Sequence, residues 1–189
     1  MIEIYLDVET TGLSAHRNGI WQLAFIMYYK GEEVETFKRN IAPMPMDTPD
    51  KKALDFNNLT EEQVRGFSDP IKCFKDVVSI LDKYIDKFDK KEKAYFYGYN
   101  ARFDMDFMRA FFEKNGNKFI GSYFWFPPID VMNTAMLHLI KDRPSMENFQ
   151  QSTVAEKMGI QVDSEKLHDA LYDLKLTKQI QEICLTANK

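Results

Sequence analysis

The chain opens with an alternation of hydrophobic and polar residues. This two-residue period runs over residues 2–7 and predicts a first β-strand. Residues 20–29 are almost continuously apolar and predict a second strand. The turn at residues 30–32 leads to a third strand over about 33–41. Because the connections are short, we expect the three strands to form an antiparallel meander.

Helical periodicity replaces the strand pattern in the rest of the chain. Residues 42–58 contain three prolines and predict a surface loop. Thr60 predicts a helix N-cap, Gln63 completes a capping box, and a longer amphipathic helix begins at Pro70. Further helices are expected over about 103–114, 131–140, 149–158 and 169–186, with a short aromatic strand at 94–99. A meander followed by alternating helices and strands predicts an α/β fold with a mixed sheet.

Length and composition predict one soluble domain covering residues 1–189. Hydrophobic residues make up 44% and charged residues 29% of the chain, which is typical of a globular protein with a sizeable core. The two cysteines lie far apart, which favours a reducing compartment over a disulfide framework. The N-terminus does not resemble a signal peptide, and the longest apolar run, residues 23–29, is too short to cross a membrane. We therefore expect a cytoplasmic protein with no membrane partner.

The net charge of −4 narrows the ways in which the protein could hold nucleic acid. A protein that coats the duplex backbone is normally basic. A nucleic-acid partner would therefore have to be held locally, and metal ions that cancel carboxylate charge would do this.

Two carboxylates, Asp7 and Glu9, lie two residues apart where the first predicted strand ends. Positions i and i+2 of a strand share a face, so both side chains are expected to point the same way. Two such charges repel each other and are costly without a cation, although carboxylates are also common at exposed strand ends. A tight turn follows at residues 10–12 and is expected to expose backbone N–H groups beside them.

Asp104 is a second candidate, at the end of the segment Asn100-Ala101-Arg102-Phe103-Asp104. This segment joins the aromatic strand to a helix. Sites in α/β sheets gather at such junctions, and a helix N-terminus favours anions. The simpler alternative is that Asp104 only caps its own helix.

His168 and Asp173 form a third candidate pair, at the start of the last predicted helix. A histidine in a loop can move, and its pKa suits a general base at neutral pH. Asp169 is expected to cap the helix, which places Asp173 in its first turns. Taken alone, an ordinary helix entry is the simpler interpretation of this pattern.

Together and in this order, the three segments resemble the motifs of the DEDDh group of 3′–5′ exonucleases, the DnaQ-like family. Residues 7–13, 100–104 and 168–173 are similar to its first, second and third motifs, the last in the histidine variant. The family includes the proofreading domain of DNA polymerase III and RNase T. The resemblance covers residues 2 to about 185. It implies a ribonuclease H-like fold, with a five-stranded sheet of an antiparallel meander plus parallel strands.

The resemblance also implies hydrolysis of phosphodiester bonds with two divalent ions. Hard carboxylate oxygens suit Mg²⁺ or Mn²⁺. Asp7 would bridge both ions, while Glu9 and Asp173 would complete the ion that carries the attacking water. Asp104 would serve the second ion. His168 would take the proton from the water.

The first-motif turn and Asn100 are the implied substrate-binding residues. Backbone groups around Thr10 and Thr11, in the turn that Gly12 completes, would meet the terminal 3′-hydroxyl. Leu13 would act as a wedge against the last bases, with packing inside the turn as the alternative. Asn100 is expected to fix the second-motif turn and is a candidate for substrate contact.

Two residues depart from the family pattern. Tyr99 stands where many relatives have histidine, and Gln22 where an acidic residue is frequent.

Three functions remain open. The first hypothesis is an exonuclease on DNA with a free 3′ end, with a polymerase or replication partner acting in trans. The second is the same chemistry on RNA ends, as in RNase T or oligoribonuclease. The third is a non-catalytic nucleic-acid-binding module, against which the intact set of four acids and a histidine argues.

Overall fold

A mixed β-sheet with its first strand at the centre organises the fold. The computed structural model describes residues 1–167 and 169–186. The strands in this part are β1 (Ile2–Thr10), β2 (Ile20–Tyr29), β3 (Glu32–Asn40), β4 (Tyr95–Gly98) and β5 (Ile129–Asp130). Their order is β3-β2-β1-β4-β5. β1 runs antiparallel to β2 and parallel to β4, which in turn runs parallel to β5. The expected meander and mixed sheet are confirmed.

Helices cover the sheet and connect its strands. In the described part of the chain they are α1 (Lys51–Phe56), α2 (Glu61–Arg65), α3 (Pro70–Tyr84), α4 (Ala101–Lys114), α5 (Val131–His138), α6 (Gln151–Lys157) and α7 (Ala170–Thr186). Short 3-10 turns occur at Ile120–Ser122 and Arg143–Ser145. None of the helices that the structure describes is both long and apolar enough to span a membrane.

One prediction about these elements is wrong. Residues 42–58 were expected to form a loop, but α1 lies within them. The carboxylate of Asp50 caps α1 by accepting a hydrogen bond from the N–H of Lys52, at 3.2 Å. Lys51 and Asp55 add an ion pair one turn apart. A helix of six residues spans fewer than two turns, so hydrophobic periodicity cannot reveal it.

The helix starts predicted at Thr60 and Pro70 are confirmed. The hydroxyl of Thr60 accepts from the N–H of Gln63, and the Gln63 side chain accepts from the N–H of Thr60, at 3.2 and 2.7 Å. Pro70 is the first residue of α3, where its missing N–H has no helical partner to lose. Asp69 caps this helix through the N–H of Ile71.

The alternation along β1 divides the core between the two faces of the sheet. Ile4 and Leu6 belong to the cluster that packs against α3 and α4. Tyr5 belongs to the opposite cluster, which α5, α6 and α7 complete. Because side chains alternate along a strand, Asp7 and Glu9 follow Tyr5 onto the face that α7 covers.

Candidate active site

The end of β1 presents Asp7 and Glu9 together. Both are half-buried, and they pair in register with Ala24 and Gln22 of β2. The strand continues to Thr10, three residues beyond its predicted end, so both carboxylates lie within it. A register shift between Glu9 and Thr10 marks the point where regular pairing stops. The prediction that the two carboxylates share a face is therefore confirmed.

Asp104 reaches β1 from the first turn of α4. It is 3% exposed, and its Oδ1 accepts a hydrogen bond from the backbone N–H of Val8 at 3.1 Å. Val8 lies between Asp7 and Glu9, so this bond brings the second motif to the first. The alternative in which Asp104 only caps its helix is wrong, because Asn100 occupies the N-cap position.

The backbone around Gly98 and Asn100 makes room for this approach. A Cβ on Gly98 would lie 3.2 Å from Oδ2 of Asp104 and 3.1 Å from Cα of Ala101. Asn100 adopts a left-handed conformation, with φ 68° and ψ 44°, which asparagine tolerates better than most residues. Its N–H donates to Oδ1 of Asp130 at 3.1 Å. Asn100 thus fixes the turn, as expected.

The acidic side chains interact electrostatically, and Asp7 is the residue they share. Burial, followed by the charges of Glu9 and Asp173, raises the pKa of Asp7 to about 7. Burial and the charge of Asp7 also raise the pKa of Asp104 well above its usual range, against the opposing effect of the Val8 N–H. The structure therefore brings Asp7, Glu9, Asp104 and Asp173 into one electrostatic neighbourhood.

The chemistry of these donors fits divalent cations. In residues 1–167 and 169–186, no group of three Asp, Glu, His or Cys side chains is arranged as a ready-made metal site. Burial, together with the charges of Glu9 and Asp173, nevertheless raises the pKa of Asp7 to about 7. A hard divalent cation would relieve this repulsion and would bind carboxylate oxygens in preference to softer ligands. Asp7, Glu9, Asp104 and Asp173 are the residues that could hold it.

Thr11 organises the turn that follows Glu9. It is fully buried, and its N–H donates to the carbonyl of Gly19 at 2.8 Å. The hydroxyl of Thr11 accepts from the N–H of Gly19, and its carbonyl accepts from the N–H of Asp50. Its backbone groups already have partners inside the loop, so Thr11 shapes the turn. The hydroxyl of Thr10 donates to the carbonyl of Gly12 at 2.7 Å.

Gly12 and Leu13 complete this turn: Gly12 packs closely against Asn18, whereas the side chain of Leu13 is exposed. A Cβ on Gly12 would lie 2.4 Å from Cγ of Asn18, so any side chain there would displace Asn18. Leu13 is 87% exposed, and the alternative in which it packs inside the turn is wrong. It lines a cleft of about 550 Å³ with residues of α4 that include Phe103 and Phe107.

The start of α7 is held from two sides. Oδ1 of Asp169 accepts from the N–H groups of Leu171 and Tyr172, which confirms its capping role. Its Oδ2 lies 2.7 Å from Nζ of Lys38 on β3. His168 lies outside the described residues, so its role as general base stays a prediction.

Sequence reasoning missed Lys38 and also Gln151, which supports the third motif. The Nε2 of Gln151 donates to the carbonyl of Asp173 at 2.7 Å and to the hydroxyl of Thr177 at 2.6 Å. Lys38 and Gln151 lie 131 and 22 residues from their partners along the chain. No local pattern in the sequence marks contacts of this kind.

The two departures from the family pattern have structural partners. The hydroxyl of Tyr99 donates to the carbonyl of Phe149 at 2.8 Å, and Nε2 of Gln22 donates to Oδ1 of Asn40 at 2.6 Å. Both side chains brace elements beside the site.

Comparison with known proteins gives one family across nearly the whole chain. A family model described as an exonuclease matches residues 4–180. The PolC-type DNA polymerase III of Pediococcus pentosaceus is 26% identical over 175 residues, which is 92% of this chain and 11% of the polymerase. Ribonuclease T of Vibrio parahaemolyticus is 24% identical and matches 98% of this chain and 85% of that protein. The chain thus spans about a tenth of the length of its PolC-type relatives.

Solved structures of E. coli exonuclease I share the fold. Its complex with a dT13 oligonucleotide has a TM-score of 0.71 at 20% identity, covering 97% of this chain and 40% of that one. A zinc-bound complex of the same enzyme with single-stranded DNA has a TM-score of 0.75 at 19% identity, covering 98% and 40%.

Proposed function

The chain belongs to the DnaQ-like exonuclease family, and on that premise we propose that it hydrolyses phosphodiester bonds from the 3′ end of single-stranded or frayed DNA. The products are nucleoside monophosphates. One observation carries the proposal: Asp7, within the matched segment, interacts electrostatically with Glu9, Asp104 and Asp173. Since the match spans residues 4–180, we further propose that residues 1–189 form one exonuclease domain.

In this proposal the four acids bind two divalent ions, Mg²⁺ or Mn²⁺. When bound, such ions activate a water for attack and stabilise the charge on the leaving oxygen. Asp7 is assigned to both ions, because Glu9, Asp173 and Asp104 all interact with it. Glu9 and Asp173 would help hold the ion that activates the water, and Asp104 would help hold the second.

His168 takes the proton from the attacking water. The support is its place in the third motif, one residue before the Asp169 cap that begins α7. The ion pair from Lys38 to Asp169 ties this point of the chain to the sheet. An imidazole that titrates near neutrality is well matched to general-base work at physiological pH.

The turn at residues 10–13 receives the terminal nucleotide. Thr11 has its backbone N–H bonded within the loop, so contact with the 3′-hydroxyl falls to the backbone of Thr10 and Gly12. The exposure of Leu13 suits a wedge against the last bases. Asn100, also exposed at the start of α4, is assigned a further contact with the substrate.

The same chemistry on RNA ends is the second candidate. It is favoured by the match to ribonuclease T, which extends over 85% of that protein. DNA is favoured by the exonuclease I structures, which hold single-stranded DNA. The PolC-type relatives suggest a polymerase or another replication protein as a partner in trans. A purely binding role is disfavoured because all four acids are retained.

Matched oligonucleotides test both polarity and sugar preference. DNA and RNA strands of the same sequence, labelled at either end, would be digested with Mg²⁺ or Mn²⁺. We expect 5′-labelled DNA to shorten one nucleotide at a time and 3′-labelled DNA to release a labelled mononucleotide at once. Faster cleavage of the RNA strands would instead favour the second candidate.

Blocked substrates and an inactive variant serve as controls. A 3′-phosphate should slow degradation strongly, and circular single strands should survive. Asp7→Asn keeps the shape of the side chain, removes its charge and should be inactive under all conditions. Cleavage of circular strands, or equal rates on blocked and unblocked ends, would identify an endonuclease and overturn the proposal.

A further inference from the structure

A largely buried lysine, Lys114 at the C-terminal end of α4, binds the loop that follows the first motif. The ammonium of Lys114 donates to the carbonyls of Ala15 and Asn18, both at 2.9 Å, and forms an ion pair with Asp47. The side chains of Lys114 and Asp47 are only 15% and 2% exposed. An ammonium has three N–H donors, so all of them are used.

These contacts join elements that are distant in sequence. Asp47 accepts from the N–H of Met44 at 2.9 Å, and its carbonyl accepts from Nη2 of Arg65. Asn18 holds the loop closed, because its side chain donates to the carbonyl of Thr48 and accepts from the N–H of Ser14. Lys114 is the point where this assembly meets α4.

Lys114 therefore connects two elements that contribute to the candidate active site. Its helix carries Asp104 in the first turn, and the loop it grips begins with the turn at residues 10–13. The contacts are charge-assisted and largely shielded from solvent, so salt screens them little. A shift of α4 relative to the loop would break three hydrogen bonds at once.

We infer that Lys114 is a positioning residue that sets the turn at residues 10–13 for recognition of a free 3′-hydroxyl. The inference rests on the proposed function, because it concerns how the proposed substrate is bound. A buried ion pair often adds little net stability compared with neutral residues of similar size. Its effect is instead on position, because the Lys114 ammonium holds the carbonyls of Ala15 and Asn18 against the helix that carries Asp104.

Two variants separate this positioning role from a general loss of stability. Lys114→Met alone leaves the charge of Asp47 buried without its ion-pair partner and should lower Tm. Adding Asp47→Asn removes that charge but keeps an oxygen for the N–H of Met44, so the double variant should recover most of the wild-type Tm. Neither protein restores the donors to Ala15 and Asn18.

The readout is the preference for a 3′-hydroxyl over a 3′-phosphate end. With single-stranded DNA and Mg²⁺, we expect KM of the double variant to rise about tenfold, as for the loss of one or two charge-assisted hydrogen bonds. The value of kcat should change much less, and the preference for the hydroxyl end should fall. Lys114→Arg keeps a cation with several donors at this position and should retain part of the preference for the hydroxyl end. Lys118→Met, which removes an exposed lysine four residues on, should match the wild type.

The outcomes distinguish this inference from the function on which it rests. A double variant with wild-type Tm, KM and end preference would overturn the positioning role and leave the exonuclease proposal intact. Equal loss of preference in Lys118→Met would also overturn it. If the wild-type protein itself does not prefer a 3′-hydroxyl, the proposed function falls and the inference falls with it.

Discussion

The backbone N–H of Val8 donates to the carboxylate of Asp104 across 96 residues of chain, at 3.1 Å. This bond joins the strand that carries Asp7 and Glu9 to the helix that carries the second-motif acid. Because Asp104 is buried, this bond also replaces a hydrogen bond to water that the carboxylate loses on folding. One hydrogen bond thus contributes both to the fold and to the site.

Asp104→Asn and Asp104→Ala should separate these two contributions. Asparagine keeps an acceptor for the Val8 N–H and cannot ionise, so the variant should be at least as stable as the wild type. Alanine leaves that N–H unsatisfied, which costs about 1–3 kcal/mol. Both variants should lose nearly all nuclease activity. Urea denaturation and a nuclease assay measure the two effects, and equal stability of the two variants would contradict the structural assignment.

The raised pKa of Asp7 should make the metal-free protein less stable as the pH rises from about 4 to about 7. The unfolded carboxyl has a pKa of about 3.9, whereas the folded one titrates at about 7. Between these values the folded state binds more protons, so the free energy of unfolding falls with increasing pH and flattens above the window. Denaturation of wild type and Asp7→Asn in EDTA tests this. Asp7→Asn should show a shallower decline and a higher Tm at pH 7.5, and identical pH profiles would refute the assignment.

Metal binding near pH 7 should release protons. Asp7 is partly protonated there and must ionise to act as a ligand. Calorimetry with Mg²⁺ or Mn²⁺ in buffers of different ionisation enthalpy should give different apparent heats at pH 7 and similar heats at pH 9. Activity should disappear in excess EDTA. Buffer-independent heats at pH 7 would show that Asp7 does not take part.

His168→Ala should slow single-turnover hydrolysis by about 10² to 10⁴-fold, the usual contribution of a general base. Metal affinity and oligonucleotide binding should stay near wild type, because the four acids remain. Asp173→Asn is the matched comparison and should weaken metal binding as well. The step in rate near neutral pH should be missing or displaced in His168→Ala. Loss of metal like that in Asp173→Asn would make His168 a ligand instead of a base.

Local patterns predicted most of the elements, and the order of the three motifs singled out the candidate acids, but neither showed the contacts that bring these segments together. Period-two alternation located β1 and its carboxylates, and the Asp169 cap was visible as a helix-start signal. The helix α1 was not predicted, because six residues are too few to show a helical period. The partnership of Val8 with Asp104 escaped because a strand N–H carries no side-chain signature in the sequence. Lys114 escaped for a related reason: a lysine in the last turn of a helix is ordinarily a solvated cation near the helix dipole, and only the folded loop shows that it is buried.

One run of aromatic residues contributes to both the core and the surface, and composition alone does not show which of its residues are buried. Residues 123–126 are all aromatic. Tyr123 and Phe124 are 1% and 4% exposed, whereas Trp125 and Phe126 are 36% and 73% exposed. Core packing therefore describes the first two residues only.

The central strand β1 has partners from distant parts of the chain, so the candidate site is assembled late during synthesis. β1 is made first, but its parallel neighbour β4 follows some 90 residues later, and Asp173 later still. At ordinary translation rates the acids of the first motif wait roughly ten to thirty seconds for the last one. On the proposed assignment, a nascent chain that has not yet made α7 lacks one of the four candidate ligands, and we expect it to cleave nucleic acid only after α7 has emerged.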